Sequence, residues 1–440
     1  MSITQFTMEE VRCFAGQQTL EIRPLTFLVG ENSTGKTTAL ACFHVLANFL
    51  RGRGVDFNEE SSNSHPYSMG TFKDIVRNSK KKEKNFKLGF AAKYNNEDIK
   101  TTIELVEKKT GIEPIVNSIT MKLTDGEIFV RSEDAVDKEE LRLDAFDEEQ
   151  NRYRITCNTK RLNEYYSFFF SPPFTQTTKG EIAFEKYFGE KIKKFVGNPW
   201  DVFRTLSVFS TSPIRSRPKR TYNPAREFDD PEGSDIPMYL MRIEATQKKE
   251  WEKLKQQLIE FGISSGLFQD IKIKNFGRSL GGPFKLQFKV RGPTSNIIDV
   301  GYGVSQILPI LVQILYPSVF QGSRRTHKLP TYSLLQQPEV HLHPRAQAEF
   351  SSLLVKLANQ GNQSFIVETH SDNMIDRARI DIMNGNISPE DVSLIYFEPK
   401  GNIVKVHNIG FDKMANMIGV PTHYRDFFLK ESKRLMGFME

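Results

Sequence analysis

PLTFLVGENSTGKTT, residues Pro24 to Thr38, contains a glycine, four residues and then Gly-Lys-Thr: Gly30, Glu31, Asn32, Ser33, Thr34, Gly35, Lys36 and Thr37. An apolar, strand-like run at 26–29 precedes this spacing, and a Leu-, Ala- and Phe-rich run with helical periodicity follows at 38–49. Strand, loop and helix in that order are the context of a phosphate-binding loop. Such a loop turns backbone N–H groups toward phosphate oxygens, sets the anion at a helix N-terminus and adds Lys36 as a point charge. Thr37 offers a hydroxyl to Mg²⁺, and Thr38 completes the candidate phosphate-binding set. The competing reading is an accidental glycine-rich turn, which would not require the flanking strand and helix.

A chain of 440 residues suggests one large domain or two to three ordinary ones, at roughly 150 residues each. The 34 Phe against 2 Trp predict a Phe-rich core, and 26% charged residues with a mean hydropathy of −0.44 predict a soluble protein. No apolar run reaches the ~18 residues of a membrane span, because 307–320 is broken by Pro309, Gln313 and Pro317. The N-terminus carries Glu9 and Glu10 and lacks a basic-then-apolar leader. Cys13, Cys42 and Cys157 are scattered and lack metal-ligand spacing, which together with the missing leader points to the cytoplasm. The net charge of +6 is mild. Two basic clusters, Lys80, Lys81, Lys82 and Lys84, and Arg215, Arg217, Lys219 and Arg220, are either solvated loops or phosphate contacts on DNA.

Along the chain, 3–29 reads as a β-meander feeding the loop strand, and 51–67 as a loop. Strands at 86–94 and 99–106, then at 119–123 and 128–130 about a Thr124-Asp125-Gly126 turn, predict an antiparallel lobe over about 86–160. Helices are predicted at 181–196 and 245–261, on either side of a proline-punctuated irregular stretch at 210–233. Strands return at 268–274 and 284–290. Three segments therefore emerge: 1–160 with the loop and the lobe, 161–265 as an inserted helical and irregular region, and 266–440. The last holds a strand at 393–397, a Gly401 turn, a strand at 403–407 and an amphipathic helix at 424–438, read as either a docking helix or a partner-binding tail.

Three further motifs lie in the last segment. Gly301, Tyr302 and Gly303, with Ser305 and Gln306, open a helical run at 307–316, where an anion is stabilised. A strand at 331–335 runs into Gln336-Gln337-Pro338-Glu339-Val340-His341-Leu342-His343-Pro344-Arg345 and a helix at 346–359. A strand at 364–367 ends in Glu368-Thr369-His370-Ser371-Asp372. Polar residues just beyond apolar strands are where an open α/β sheet places its ligand chemistry.

In this order the motifs resemble those of the ABC-type ATPases related to RecF, SMC and OLD proteins, and more narrowly the ATPase subunit of Septu-type antiphage systems. The resemblance implies an α/β fold: an ABC-type head with a mixed central sheet, an antiparallel β-lobe and an inserted helical region. It implies that Lys36 and Thr37 contact phosphate and Mg²⁺, that Gly301, Gly303 and Ser305 form the signature loop facing a second protomer's nucleotide, that His341 to His343 belong to the dimer-interface loop, and that His370 is the switch histidine. It also implies a homo-oligomer closed around ATP, an HNH-type nuclease partner, DNA reached mainly through that partner, and no membrane. The stretch after His370 is shorter than the roughly 100 residues of a common domain, which leaves no place in this sequence for the Toprim nuclease of OLD proteins.

The sequence departs from that family where its acids should stand. Gln336 occupies the Mg²⁺-side position and Gln337 the position that orients the attacking water. An amide cannot act as a general base, a loss of about 10² to 10⁴ in rate. Glu339 lies nearby, but Pro338 is expected to turn it away. The expectation is therefore an ATP-binding sensor subunit with weak or absent hydrolysis. The alternatives are an active RecF-like DNA-repair ATPase and, last, a metabolic kinase.

Overall fold

The structure is a computed structural model that describes residues 2–51, 55–58, 66–78, 84–94, 97–107, 112–123, 126–135, 138–147, 152–158, 206–223, 230–276, 282–320, 331–361 and 363–422, with isolated positions beyond. The expected helix at 181–196, Lys80 to Lys82 and most of the expected helix at 424–438 lie outside the described residues.

The loop strand β3 (Leu25–Gly30) lies between two parallel neighbours, β15 (Gln363–Glu368) and β16 (Val392–Lys400). Outside β15 run β14 (Thr331–Gln336) and the edge strand β10 (Ser207–Ser210), both parallel, while β17 (Ile403–Phe411) and β18 (Met417–Ile418) close the other side antiparallel. The result is a seven-stranded mixed sheet. Its strands alternate between two cores. Leu28, Tyr332, Leu334, Ile366, Ile395 and Phe397 join one core, which also contains helix α1 (Lys36–Leu50). Leu25, Phe27, Val29, Leu335, Phe365, Val367 and Leu394 join the other. A sheet covered on both faces needs near-continuous apolar strands, as the run at 25–29 is, and each fully buried Leu or Phe contributes about 1.5–3 kcal/mol.

An eight-stranded antiparallel sheet packs on the α1 side. Its order begins with β2 (Gln17–Glu21), β1 (Ser2–Glu9), β4 (Asn85–Tyr94) and β5 (Glu97–Glu107). It continues through β6 (Pro114–Leu123), β7 (Gly126–Ala135), β8 (Lys138–Asp147) and β9 (Arg152–Asn158). The expected lobe is therefore present, and it is completed by the two N-terminal strands. Phe6, Phe43 and Phe90 meet at its base, with ring centroids 4.8–5.6 Å apart. A short helix, α2 (Phe72–Ile75), lies beside it.

The opposite face carries α3 (Ile236–Thr246), α4 (Lys248–Ser265), α5 (Tyr302–Phe320), α6 (Pro344–Asn359) and α7 (Asp372–Met383), with a small sheet of β11 (Asp270–Asn275), β12 (Phe284–Lys289) and β13 (Thr294–Asn296). The expected helix at 245–261 corresponds to α4, which begins at Lys248 after a break at Gln247 that ends α3, and α5 begins inside the Gly-Tyr-Gly turn and continues through Pro309 and Pro317. The described part of 161–265 is not set apart from the head, because β10 is a strand of the main sheet and α4 packs on α5 and α6. No helix among the described residues is long and apolar enough to cross a membrane.

Candidate functional site

Strands β3, β14 and β15 are parallel, so their C-terminal ends bring the loop, Gln336 and Glu368 to one edge of the sheet. Gly30 has φ +147°, and a Cβ there would stand 2.7 Å from the Phe397 carbonyl, so the loop leaves the sheet where no side chain fits. Ser33 and Gly35 also adopt positive φ, 63° and 87°. Gly35 caps α1 without a side-chain hydrogen bond, and no acid stands in the first turn, which leaves the positive helix end open. Lys36 Nζ donates to the carbonyl oxygens of Gly30 and Glu31 at 3.0 and 2.6 Å, curling the ammonium over the loop. Burial lowers its pKa, while Glu368 and Glu31 pull it back up. Thr34 Oγ1 donates to the Glu31 carbonyl at 2.8 Å, tightening the same turn. Glu31, Asn32 and Ser33 are exposed, Thr38 is buried, and Thr38 Oγ1 accepts from Arg12 at 3.1 Å.

Thr37 Oγ1 donates to the Glu368 carboxylate at 2.8 and 3.1 Å. Glu368 is buried, and that burial raises its pKa against the Thr37 hydroxyl and the Lys36 ammonium, which lower it. The Gln336 amide lies one strand away, 2% exposed, and its Nε2 has no hydrogen-bond partner among the described residues. Gln337 turns out of the strand at φ +40°; its N–H donates to the Glu368 carbonyl at 2.8 Å, and its own carbonyl accepts from Arg215 at 3.3 Å.

Pro338 does not turn Glu339 away. The backbone bends at Gln337, with the Val340 N–H on the Gln337 carbonyl and the Leu342 N–H on the Glu339 carbonyl, and this bend folds the Glu339 side chain back into the site. There Oε1 accepts from the His370 N–H at 2.8 Å, and Oε2 is buried without a partner among the described residues. Burial pushes this carboxyl above the usual carboxylate range, opposed by the His370 N–H, Thr369 and Arg215. Such a group holds its proton more tightly in the native state. Its contribution to stability is full below the unfolded pKa and is lost as pH rises through the folded one. Glu339→Gln keeps an acceptor for the His370 N–H and removes that loss. Its melting temperature relative to wild type should therefore climb from about pH 5 to about pH 8, and a flat or falling difference would contradict the placement.

The His370 side chain is exposed at the rim, and partial desolvation and the Lys36 ammonium lower its pKa, so it is neutral at neutral pH. Around the second glycine motif, a Cβ on Gly303 would stand 2.8 Å from the His341 carbonyl, and the Tyr302 ring packs edge-on against His341 at 4.8 Å. The signature segment and the 341–343 loop are thus one surface. Ser305 is buried and donates to the Tyr302 carbonyl at 2.8 Å, so the outward-facing groups here are Gly301 and Tyr302. His343 caps α6, its Nδ1 accepting from the Arg345 N–H at 3.3 Å.

The second basic cluster is divided, with Arg217 and Lys219 exposed and Arg215 and Arg220 engaged. Arg215 is 2% exposed, between the Gln337 carbonyl and Glu339, and Arg220 makes a two-pronged ion pair with Asp299 at 2.7 and 2.9 Å. Sequence reasoning overlooked Glu368 and Arg215 as parts of the site. The signal for Glu368 was its place at the C-terminal end of a buried strand.

Residues 220–375 match the family model described as an AAA ATPase domain. No curated protein matches the chain. Among solved structures, the chain is similar to an SMC head domain from Thermotoga maritima (10% identity, 92% of this chain and 98% of that chain covered, TM-score 0.38). It is also similar to an Smc head bound to the C-winged helix domain of ScpA (11%, 94% and 99%, 0.40). A third is an Smc head domain with an extended coiled coil bound to the C-terminal domain of ScpA derived from Pyrococcus furiosus (11%, 99% and 98%, 0.40).

Proposed function

We propose that the chain is an ATP- and Mg²⁺-binding subunit whose nucleotide state gates its own assembly, with slow turnover. One observation carries the reading: at an open helix N-terminus, the Lys36 ammonium lies over the loop carbonyls while the neighbouring Thr37 hydroxyl is held by a buried carboxylate. Phosphates would take the place of those carbonyls on Lys36. The oxygen donors of Thr37 and Glu368 suit Mg²⁺, which usually takes one or two carboxylates and completes its shell with phosphate oxygens and water. When bound, the ion would neutralise charge on the phosphates.

Slow turnover follows from Gln337, whose side-chain amide cannot serve as a general base. Phosphate release by the full chain with ATP and Mg²⁺ should stay below about 1 s⁻¹, the low end of ordinary enzymes, and faster release would favour the working-ATPase alternative. Assembly is supported by three exposed apolar side chains, Ile214, Ile298 and Tyr302, on segments tied together by the Arg220–Asp299 pair. They suit burial under a second copy of the chain. Light scattering with and without ATP and Mg²⁺ tests this, and an unchanged mass would count against it. From the motif order, the reading extends to a Septu-type antiphage pair in which nucleotide state controls an HNH-type nuclease that makes the main DNA contact. Co-purification with an adjacent HNH-type gene product, with and without ATP, tests that extension.

A further inference from the structure

We propose that the acid serving the metal side of this nucleotide site has moved one strand, from position 336 to Glu368. The inference rests on the ATP and Mg²⁺ reading above and names the carboxylate that reading needs. Three observations converge on it. Gln336 and Glu368 are register partners on adjacent parallel strands, and their predecessors on the same face, Leu334 and Ile366, are also partners and share the α1-side core. Both side chains therefore point toward α1, one strand spacing of about 4.8 Å apart. Glu368 already holds the Thr37 hydroxyl with both oxygens, whereas the Gln336 amide leaves a buried N–H₂ group without an acceptor. Glu368 also lies within electrostatic reach of Lys36, and each of the two favours the other's charged form.

The geometry accounts for the amide at 336. Carboxylates at both partner positions would put two negative charges about one strand spacing apart in a buried pocket, where like charges raise each other's pKa. One acid and one amide leave a single charge on this strand pair, carried by β15 rather than β14, and spare Glu368 a second like-charged neighbour besides Glu339.

The test uses the full chain and titrates ATP calorimetrically, at a temperature where turnover is negligible, once with Mg²⁺ and once with EDTA. The ratio of the two affinities is the metal effect. In Glu368→Gln, affinity in EDTA should hold or improve while the metal effect falls roughly 10- to 100-fold, the usual cost of losing a group that supports a metal site. Adding Gln336→Glu to that variant should restore most of the effect, because the charge returns one strand over. Mn²⁺ electron paramagnetic resonance in the presence of ATP gives a second readout, with bound Mn²⁺ lost in the single variant and regained in the double. Should Glu368→Gln fold poorly, Glu368→Asp keeps the charge and shortens its reach, and a reduced metal effect is again expected.

An undiminished metal effect in Glu368→Gln overturns the proposal. So does an equal loss in Mg²⁺ and EDTA, which would make Glu368 a support of the loop, or a failure of Gln336→Glu to restore the effect. If the wild type itself binds no ATP in either condition, the nucleotide reading beneath has failed instead.

Discussion

Lys36→Ala should weaken ATP binding roughly 10- to 100-fold while leaving the nucleotide-free chain folded. The range follows from the ~1.5–3 kcal/mol of a hydrogen bond to a charged group, at a factor of ten per ~1.4 kcal/mol. Lys36 is 3% exposed, and its ammonium rests on two backbone carbonyls. Those are weak partners for a cation that burial already disfavours. Phosphate oxygens would be far better ones, so the binding energy comes from exchanging carbonyls for phosphates. Removing the ammonium leaves the Gly30 and Glu31 carbonyls to water at the loop surface, a small structural cost. Lys36→Arg should not rescue, because a planar guanidinium cannot occupy the place of a compact ammonium beneath the loop. Calorimetric titration with ATP checks the affinity and a thermal melt checks the fold. Binding that survives Lys36→Ala unchanged would remove the loop from the site.

The loop strand and its helix were legible because their signals are local. The spacing from Gly30 to Thr37, an apolar run before it and helical periodicity after it each depend on neighbouring residues alone. The antiparallel lobe was legible for the same reason, since Phe86, Leu88 and Phe90 alternate and pair directly with the next strand. What stayed hidden depends on residues that are far apart in sequence and meet only in the sheet. Glu368 reads as a polar strand end until β15 is placed between β14 and β3, where it faces both Gln336 and Thr37. The expected direction of Glu339 followed from Pro338 alone, but a positive φ at Gln337, fixed by its hydrogen bond to the Glu368 carbonyl, reverses that direction. Helix α7 was not anticipated, although Ser371 caps it by accepting from the Met374 N–H. The break at Gln247 was missed because polar, charge-paired residues continue across it without a proline or glycine.

Arg215→Met separates the two readings of Arg215, a buried support or a DNA contact. A DNA-contacting arginine is exposed, and its loss weakens salt-dependent binding while sparing stability. Arg215 is instead buried, donating to the Pro213 and Gln337 carbonyls, with burial pulling its pKa down to about 10 while Glu339 supports the charge. At neutral pH it is a cation set beside Glu339, and Glu339 and Glu368 act on each other electrostatically. Removing it leaves two neighbouring buried carboxylates with less counter-charge, and removing one member of a buried charge pair typically costs about 3–5 kcal/mol. Methionine fills much of the volume, so the loss is mainly electrostatic. The melting temperature should fall by several degrees at neutral pH, and the deficit should shrink as pH drops and Glu339, already raised by burial, takes up its proton. Because the Gln337 carbonyl loses one of its two donors and keeps only the Val340 N–H, the turn that aims Glu339 at the His370 N–H loosens as well, and Glu339→Gln in the same chain should recover part of the lost stability. A variant with unaltered melting but weaker duplex binding would return Arg215 to the surface as a DNA contact.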